Sequence, residues 1–212
     1  MSKAQSIQNK IWKAYGKVGK TLGKPFSIYR APTTNYPIIP ENWIDTKNVA
    51  FSQDTKFARP LDDGTPLWMC WIDGRLNNLF DVQAGDYISD DLTGETYVIV
   101  SAQPHTFIRA LSTPNKISVY GNETYTDGVD GLAQTKPLVS MELPCNIRQP
   151  SSSTSNGYVP VQTLGFESVP QYEIHVWDPN NEIKIGYQIV DEHGNESLVV
   201  SVFKGEAGTR LQ

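Results

Sequence analysis

Two stretches of the chain, one central and one near its C-terminus, follow a single pattern, and this repeat constrains the fold more than any other feature. The first reads VQAGDYISDDLTGETYVIVSAQ (Val82–Gln103) and the second IKIGYQIVDEHGNESLVVSVF (Ile183–Phe203). Aligned on Gly85 and Gly186, each has an apolar lead-in and an Ile three residues on (Ile88, Ile189). An Asp follows two residues later (Asp90, Asp191), then a turn ending in Gly (Gly94, Gly194). Both close on a β-branched run ending in Val-Ser (Val100-Ser101, Val200-Ser201). The second copy is one residue shorter in the turn, where length change is tolerated. The expectation is a chain that builds a β module twice.

Strand signals surround both copies. PLWMCWI (Pro66–Ile72) is continuously apolar, the pattern of a strand buried on both faces. In ETYVIVS, Thr96, Val98 and Val100 share one face while Tyr97 and Ile99 share the other. FIRALS and KISVYG extend the run, so residues 66–121 read as a small meander or barrel, the first β module. YEIHVWD (Tyr172–Asp178) alternates cleanly and leads into the second copy. Residues 122–212 therefore read as a second β module interrupted by long loops, TYTDGVDGLAQT (Thr124–Thr135) and the Ser-rich RQPSSSTSNGYVP (Arg148–Pro160). Fourteen Pro and sixteen Gly agree with a loop-rich, mainly β chain of two small barrel- or sandwich-like modules.

Residues 1–65 read differently. Ile7, Ile11, Ala14, Tyr15, Val18 and Leu22 recur at helical spacing and form one apolar stripe. Gly16 and Gly19 each weaken such a helix by about 1 kcal/mol relative to Ala, so it is expected to order by docking. Gly23-Lys24-Pro25 ends it. FSIYRAP (Phe26–Pro32) alternates as a short strand, and Pro32–Pro66 is expected to be a long extended segment with single aromatics at Tyr36, Trp43, Phe51 and Phe57. Up to residue 40 there are seven basic residues and no acidic one, +7; the remainder carries 11 basic against 23 acidic, −12. A basic arm on an acidic body suits an acidic protein surface, nucleic acid or a neighbouring copy. The expected interaction residues are Ile7, Lys10, Ile11, Lys13, Lys17, Val18, Lys20 and Leu22 on the helix, with Tyr36, Trp43, Phe51 and Phe57 on the extended segment.

Catalytic chemistry is not expected. His105, His175 and His193 have no second His or Cys at metal-ligand spacing. The carboxylates of DDLTGE and TDGVDG lack the ligand pattern of a calcium loop and read as turn formers. No nucleophile elbow and no phosphate-cradling loop occurs. Cys70 and Cys145 are too few for a disulfide framework and are expected to be unbridged. No cofactor, metal or membrane partner is expected. The N-terminus lacks the apolar stretch of a signal peptide.

The short helix leading into LGKPFSIYRAP (Leu22–Pro32), followed by VQAGDYISDDLTGETYVIVSAQP (Val82–Pro104), resembles a group of tailed-bacteriophage virion proteins encoded among neck and tail genes. The central unit is similar to the head–tail joining β-barrels, which carry Gly-Asp before one strand, a Gly turn, and then Tyr-x-Val/Ile. Those positions are Gly85, Asp86, Gly94, Tyr97 and Ile99, whereas Tyr187 stands in the second copy where Asp86 does in the first. The resemblance implies a non-enzymatic structural subunit of the neck, collar or head–tail connector. It would form a homo-oligomeric ring with portal and other neck or tail proteins, beside the DNA channel, in the virion after assembly in the host cytoplasm. The alternative reading is a small β-barrel nucleic-acid-binding protein using the basic arm. A third, a secreted carbohydrate-binding sandwich with Trp43, Trp68, Trp71 or Trp177 as a platform, is disfavoured by the missing signal peptide.

Overall fold

The computed structural model describes residues 3–53, 60–61, 64–73, 82–102, 107–121, 138–148, 172–205 and 208–212. The expected loops Thr124–Thr135 and, beyond Arg148, Arg148–Pro160 lie outside them, as do His105 and Phe57. One N-terminal helix, α1 (Lys3–Leu22), precedes a mainly β body. Strands β1 (Lys24–Tyr29), β2 (Trp43–Ser52), β3 (Trp68–Ile72), β4 (Tyr87–Ser89), β5 (Thr96–Ser101) and β6 (Ile108–Ser112) close into a barrel of order β1-β2-β3-β6-β5-β4. Strands β7 (Asn115–Tyr120), β8 (Leu138–Arg148), β9 (Glu173–Val176), β10 (Gln188–Asp191), β11 (Glu196–Leu198), β12 (Val202–Gly205) and β13 (Gly208–Leu211) form a seven-stranded sheet of order β11-β10-β7-β8-β9-β13-β12.

This division differs from the expected one at two places. The barrel starts at β1, well before residue 66, because the segment read as extended contains the ten-residue strand β2 between β1 and β3. At the other end, β7 leaves the first module and pairs with β8 and β10 of the second. The chain passes from β6 to β7 through Thr113-Pro114 alone, so two modules meet where the sequence shows no gap. Between β1 and β2 the extended segment proper is confined to 30–42, ending in a short 3-10 turn at Pro40–Asn42.

The sheet repeats the barrel's run β4-β1-β2-β3 as β10-β7-β8-β9, and it adds a seventh strand, β12, without closing. Ile28 faces Ile88 across β1–β4, and Val119 faces Ile189 across β7–β10. Val49 faces Ile72 across β2–β3 as Cys145 faces Val176 across β8–β9. Cys70 faces Ile108 across β3–β6 as Ile174 faces Leu211 across β9–β13. Ser101 opposes Arg109, and the equivalent Ser201 exchanges both backbone hydrogen bonds with Gln212 at 3.0 Å. That exchange continues the β12–β13 ladder, and residues 199–201 connect β12 to β11 at the other end of the strand order, so the sheet curls.

The repeated hairpins obey the same equivalence. Gly85 and Gly186 both take positive φ (96° and 86°), and their N–H groups donate to Ile99 and Val199 carbonyls at 2.7 and 2.8 Å. Asp90 forms its turn as expected, and Asp191 takes the same role in the second copy. The Asp90 carboxylate accepts the Leu92 N–H at 2.9 Å and the Thr93 hydroxyl at 2.8 Å, and the Asp191 carboxylate accepts the His193 and Asn195 N–H groups at 2.9 and 2.8 Å. Such side-chain bonds are why Asp favours turns over strand interiors.

Three apolar clusters follow. Phe26, Ile28, Cys70, Ile88 and Ile99 belong to the barrel interior, and Ile117, Leu143, Cys145, Ile189 and Leu211 to the interior of the curled sheet. Tyr29, Met69, Tyr87, Val98 and Leu111 belong to a third cluster on the barrel's outer face, with Trp177 from beyond β9 packed against it. The alternation expected for ETYVIVS holds: Tyr97 and Ile99 point inward, Val98 and Val100 outward. Strand β3 is likewise covered on both faces, Cys70 inside and Met69 outside. Cys70 and Cys145 are not joined by a disulfide and are buried in separate interiors.

Candidate interaction surfaces

Helix α1 packs on β2 and β3 through its C-terminal half. Gly16 and Gly19 are buried there, Val18 is half-buried, and Tyr15 lies 5.1 Å from the Phe107 ring. Gly19, one of the two glycines that weaken the helix, is what lets it dock. A Cβ on Gly19 would lie 2.7 Å from the Asp73 nitrogen and 2.8 Å from the Trp71 carbonyl oxygen, so only a bare backbone fits. Gly23 caps the helix, its N–H donating to the Gly19 carbonyl at 2.8 Å.

The N-terminal half of α1 presents a different surface. Ile7 is 60% exposed and Ile11 39%, on a helix with five lysines and no acidic residue. Lys10, Lys13, Lys17 and Lys20 are all exposed, and Leu22 projects at the far end. The apolar stripe thus divides: its middle meets the barrel, and both ends face outward.

The aromatics of the expected surface also divide. Trp43 opens β2 and is half exposed. Phe51 stacks on Tyr97 at 4.1 Å between centroids and packs, half-buried, against the barrel core. Tyr36 is engaged inside the molecule: its backbone N–H donates to the Met141 carbonyl at 3.0 Å, and its hydroxyl meets the Met141 sulfur. It does so from the left-handed region, φ 46°, which few bulky residues adopt.

Tyr36 is part of a strap that ties the two modules. The Ser140 hydroxyl donates to the Thr34 carbonyl at 2.7 Å, the Thr34 hydroxyl donates to Glu182 at 2.7 Å, and the Met141 N–H donates to the Asn35 side-chain oxygen at 2.9 Å. Arg30, where the strap begins, grips Asp86 with two hydrogen bonds of 2.7 and 2.8 Å. Asp86 is buried and also accepts the Gln83 N–H at 2.8 Å. This gives the Gly-Asp pair a structural reason: Gly85 makes the turn and Asp86 anchors the strap. A second clamp holds β1 to the first hairpin, where Lys24 Nζ lies 2.9 Å from Asp90 and 2.8 Å from Glu95. Lys24, with Thr93 and Leu92, holds the Asp90 carboxyl well below the usual carboxylate range, and Glu95 and Asp90 hold the ammonium above its own.

His175 is buried beside Thr65, with Nε2 3.4 Å from its hydroxyl, and Arg148 donates to the same oxygen at 2.9 Å, a further seam between modules. His193 sits exposed in its hairpin turn. Among the described residues no group of three or more His, Cys, Asp or Glu could hold a metal ion, and no helix is long and apolar enough to cross a membrane. Trp68, Trp71 and Trp177 are each packed against a buried cluster, so the four tryptophans do not share one exposed platform. No protein-family model, curated protein or solved structure matches the chain.

Proposed function

We propose that this chain is a non-enzymatic virion structural protein that forms a ring in the neck of a tailed phage, as a head–tail connector or collar subunit joining portal and tail. The observation that carries the reading is the outer half of α1. Exposed Ile7 and Ile11 lie on an all-basic helix projecting from an otherwise acidic chain, a surface suited to a partner rather than to solvent. The unit that resembles the joining barrels supports it, since Gly85, Asp86, Gly94, Tyr97 and Ile99 each serve the first barrel's hairpin or interior. A polarised subunit of this kind can associate head to tail and close into a ring.

The test is sedimentation velocity of the purified chain, alone and with the portal protein encoded in the same genome, combined with negative-stain imaging. Ring-shaped oligomers or a stoichiometric portal complex are expected. A monomer at high concentration that leaves the portal unbound overturns the reading. The exposed lysines also suit a nucleic-acid-binding module, which makes a different prediction. In that case affinity for DNA falls steeply with salt and collapses on Lys10→Glu, Lys13→Glu and Lys17→Glu, whereas ring assembly responds chiefly to Ile11→Asp.

A further inference from the structure

The equivalence of the two modules brings out one difference between them. Four aromatic rings, Phe26, Phe51, Trp68 and Tyr97, cluster in the barrel, with Phe26 edge-on to Phe51 at 5.3 Å and Trp68 edge-on to Tyr97 at 6.0 Å. Strand register assigns their counterparts in the curled sheet. Phe26 corresponds to Ile117, Phe51 to Ile147, Trp68 to Tyr172 and Tyr97 to Ser197. Three rings are lost and an indole becomes a phenol. The same four counterparts line a mainly apolar cavity of about 790 Å³. The cavity takes the place of a plug that these counterparts do not supply.

Its border is acidic. Asp191 and Glu196 line it, Glu192 adjoins them in the chain, and among the described residues no Lys or Arg lines it. Leu198 and Val200, also lining it, are more than half exposed. The outer half of α1 carries the matching chemistry, with Ile7 and Ile11 exposed one helical turn apart among lysines and without an acid. Apolar anchors at i and i+4 are how an amphipathic helix seats in a groove.

We propose that Ile7 and Ile11 of a second copy fill this cavity, with the lysines of that helix set against Asp191, Glu192 and Glu196. Each copy would then use its helix on one neighbour and its cavity on another, a heterologous contact that propagates and closes into a ring or continues as a filament. This contact deepens the ring-subunit reading and rests on it.

The test fills the cavity with the residues that the first barrel itself uses: Ile117→Phe, Ile147→Phe and Ser197→Tyr in one full-length variant. Far-UV circular dichroism checks the fold, and sedimentation equilibrium over a concentration series reads self-association. The plugged variant and, separately, Ile7→Asp with Ile11→Asp are each expected to weaken association about tenfold or more. Mixed together, the two variants retain one working surface each and are expected to pair one to one and stop. If the triple variant does not fold, Leu198→Asp at the exposed border gives the same readout.

Association equal to the parent's in either variant overturns the contact and leaves the ring reading standing. A parent that stays monomeric overturns the contact too, and the ring reading falls with it only if portal binding also fails. Native mass spectrometry that finds a small apolar molecule held by the parent and not by the plugged variant assigns the cavity to that ligand and overturns the proposal.

Discussion

Tyr87 shows how one residue can sit against the chemistry around it. It is fully buried at the outer face of the barrel, and its hydroxyl has no hydrogen-bond partner among the described residues. Burial pushes the phenol well above its ordinary range, so the group stays neutral. An unpaired buried hydroxyl costs on the order of 1–3 kcal/mol, whereas removing it together with its need for a partner can be neutral or favourable. Tyr87→Phe is therefore expected to leave the urea midpoint unchanged or raise it. A loss of more than about 1 kcal/mol, beyond the usual scatter of conservative changes, would mean the hydroxyl is bonded in solution. Asp86, its neighbour, is the opposite case: buried, but satisfied by Arg30 and by the Gln83 N–H.

The hairpins are the elements most legible in the sequence, because their turns announce themselves through Gly at positive φ and Asp that bonds its own turn. The clamp on the first hairpin gives it a pH signature. Asp90 is held below the usual carboxylate range by Lys24 first, then by Thr93 and Leu92. A depressed carboxyl contributes stability that is complete above its unfolded value of about 3.9 and is lost as pH falls through the folded value. Stability is thus expected to decline below about pH 4, and Asp90→Asn to flatten that decline without abolishing it, since Asp191 is also depressed, chiefly by Asn195. Urea midpoints at neutral and acid pH measure this; a variant with the parent's acid slope would remove Asp90 from the cause. Strand β2 was not legible for a physical reason. WIDTKNVAFS sets Asp45, Lys47 and Asn48 among its apolar residues, and only Val49 is buried, so no clean two-residue period appears. The start of the second module was carried by a quieter echo. FSIY in β1 and ISVY in β7 occupy equivalent register positions, yet the four-residue likeness gains meaning only once pairing is known. The cavity was not legible at all, because an absent plug is visible only against the barrel that has one.

At the scale of the molecule, the two modules are joined by more than the short β6–β7 passage. The strap bonds to β8, and the Trp177 indole packs over the outer face of the barrel. Its fit against Gly85 is close: a Cβ there would lie 2.2 Å from Trp177 Nε1. Modules sharing a buried apolar face are expected to unfold together, so the parent should show one thermal transition followed equally by far-UV circular dichroism and tryptophan fluorescence. Gly85→Ala tests the seam, but it also strains a residue at φ 96°. Gly94→Ala separates the two effects, because Gly94 has φ 73° and open space around its Cα. That control should lose about 1 kcal/mol from backbone conformation alone and keep a single transition. Gly85→Ala should lose more, shift the indole emission to the red as Trp177 is displaced, and separate the fluorescence transition from the far-UV one. If both variants lose the same amount and both keep one transition, Trp177 does not couple the modules and the strap alone holds them.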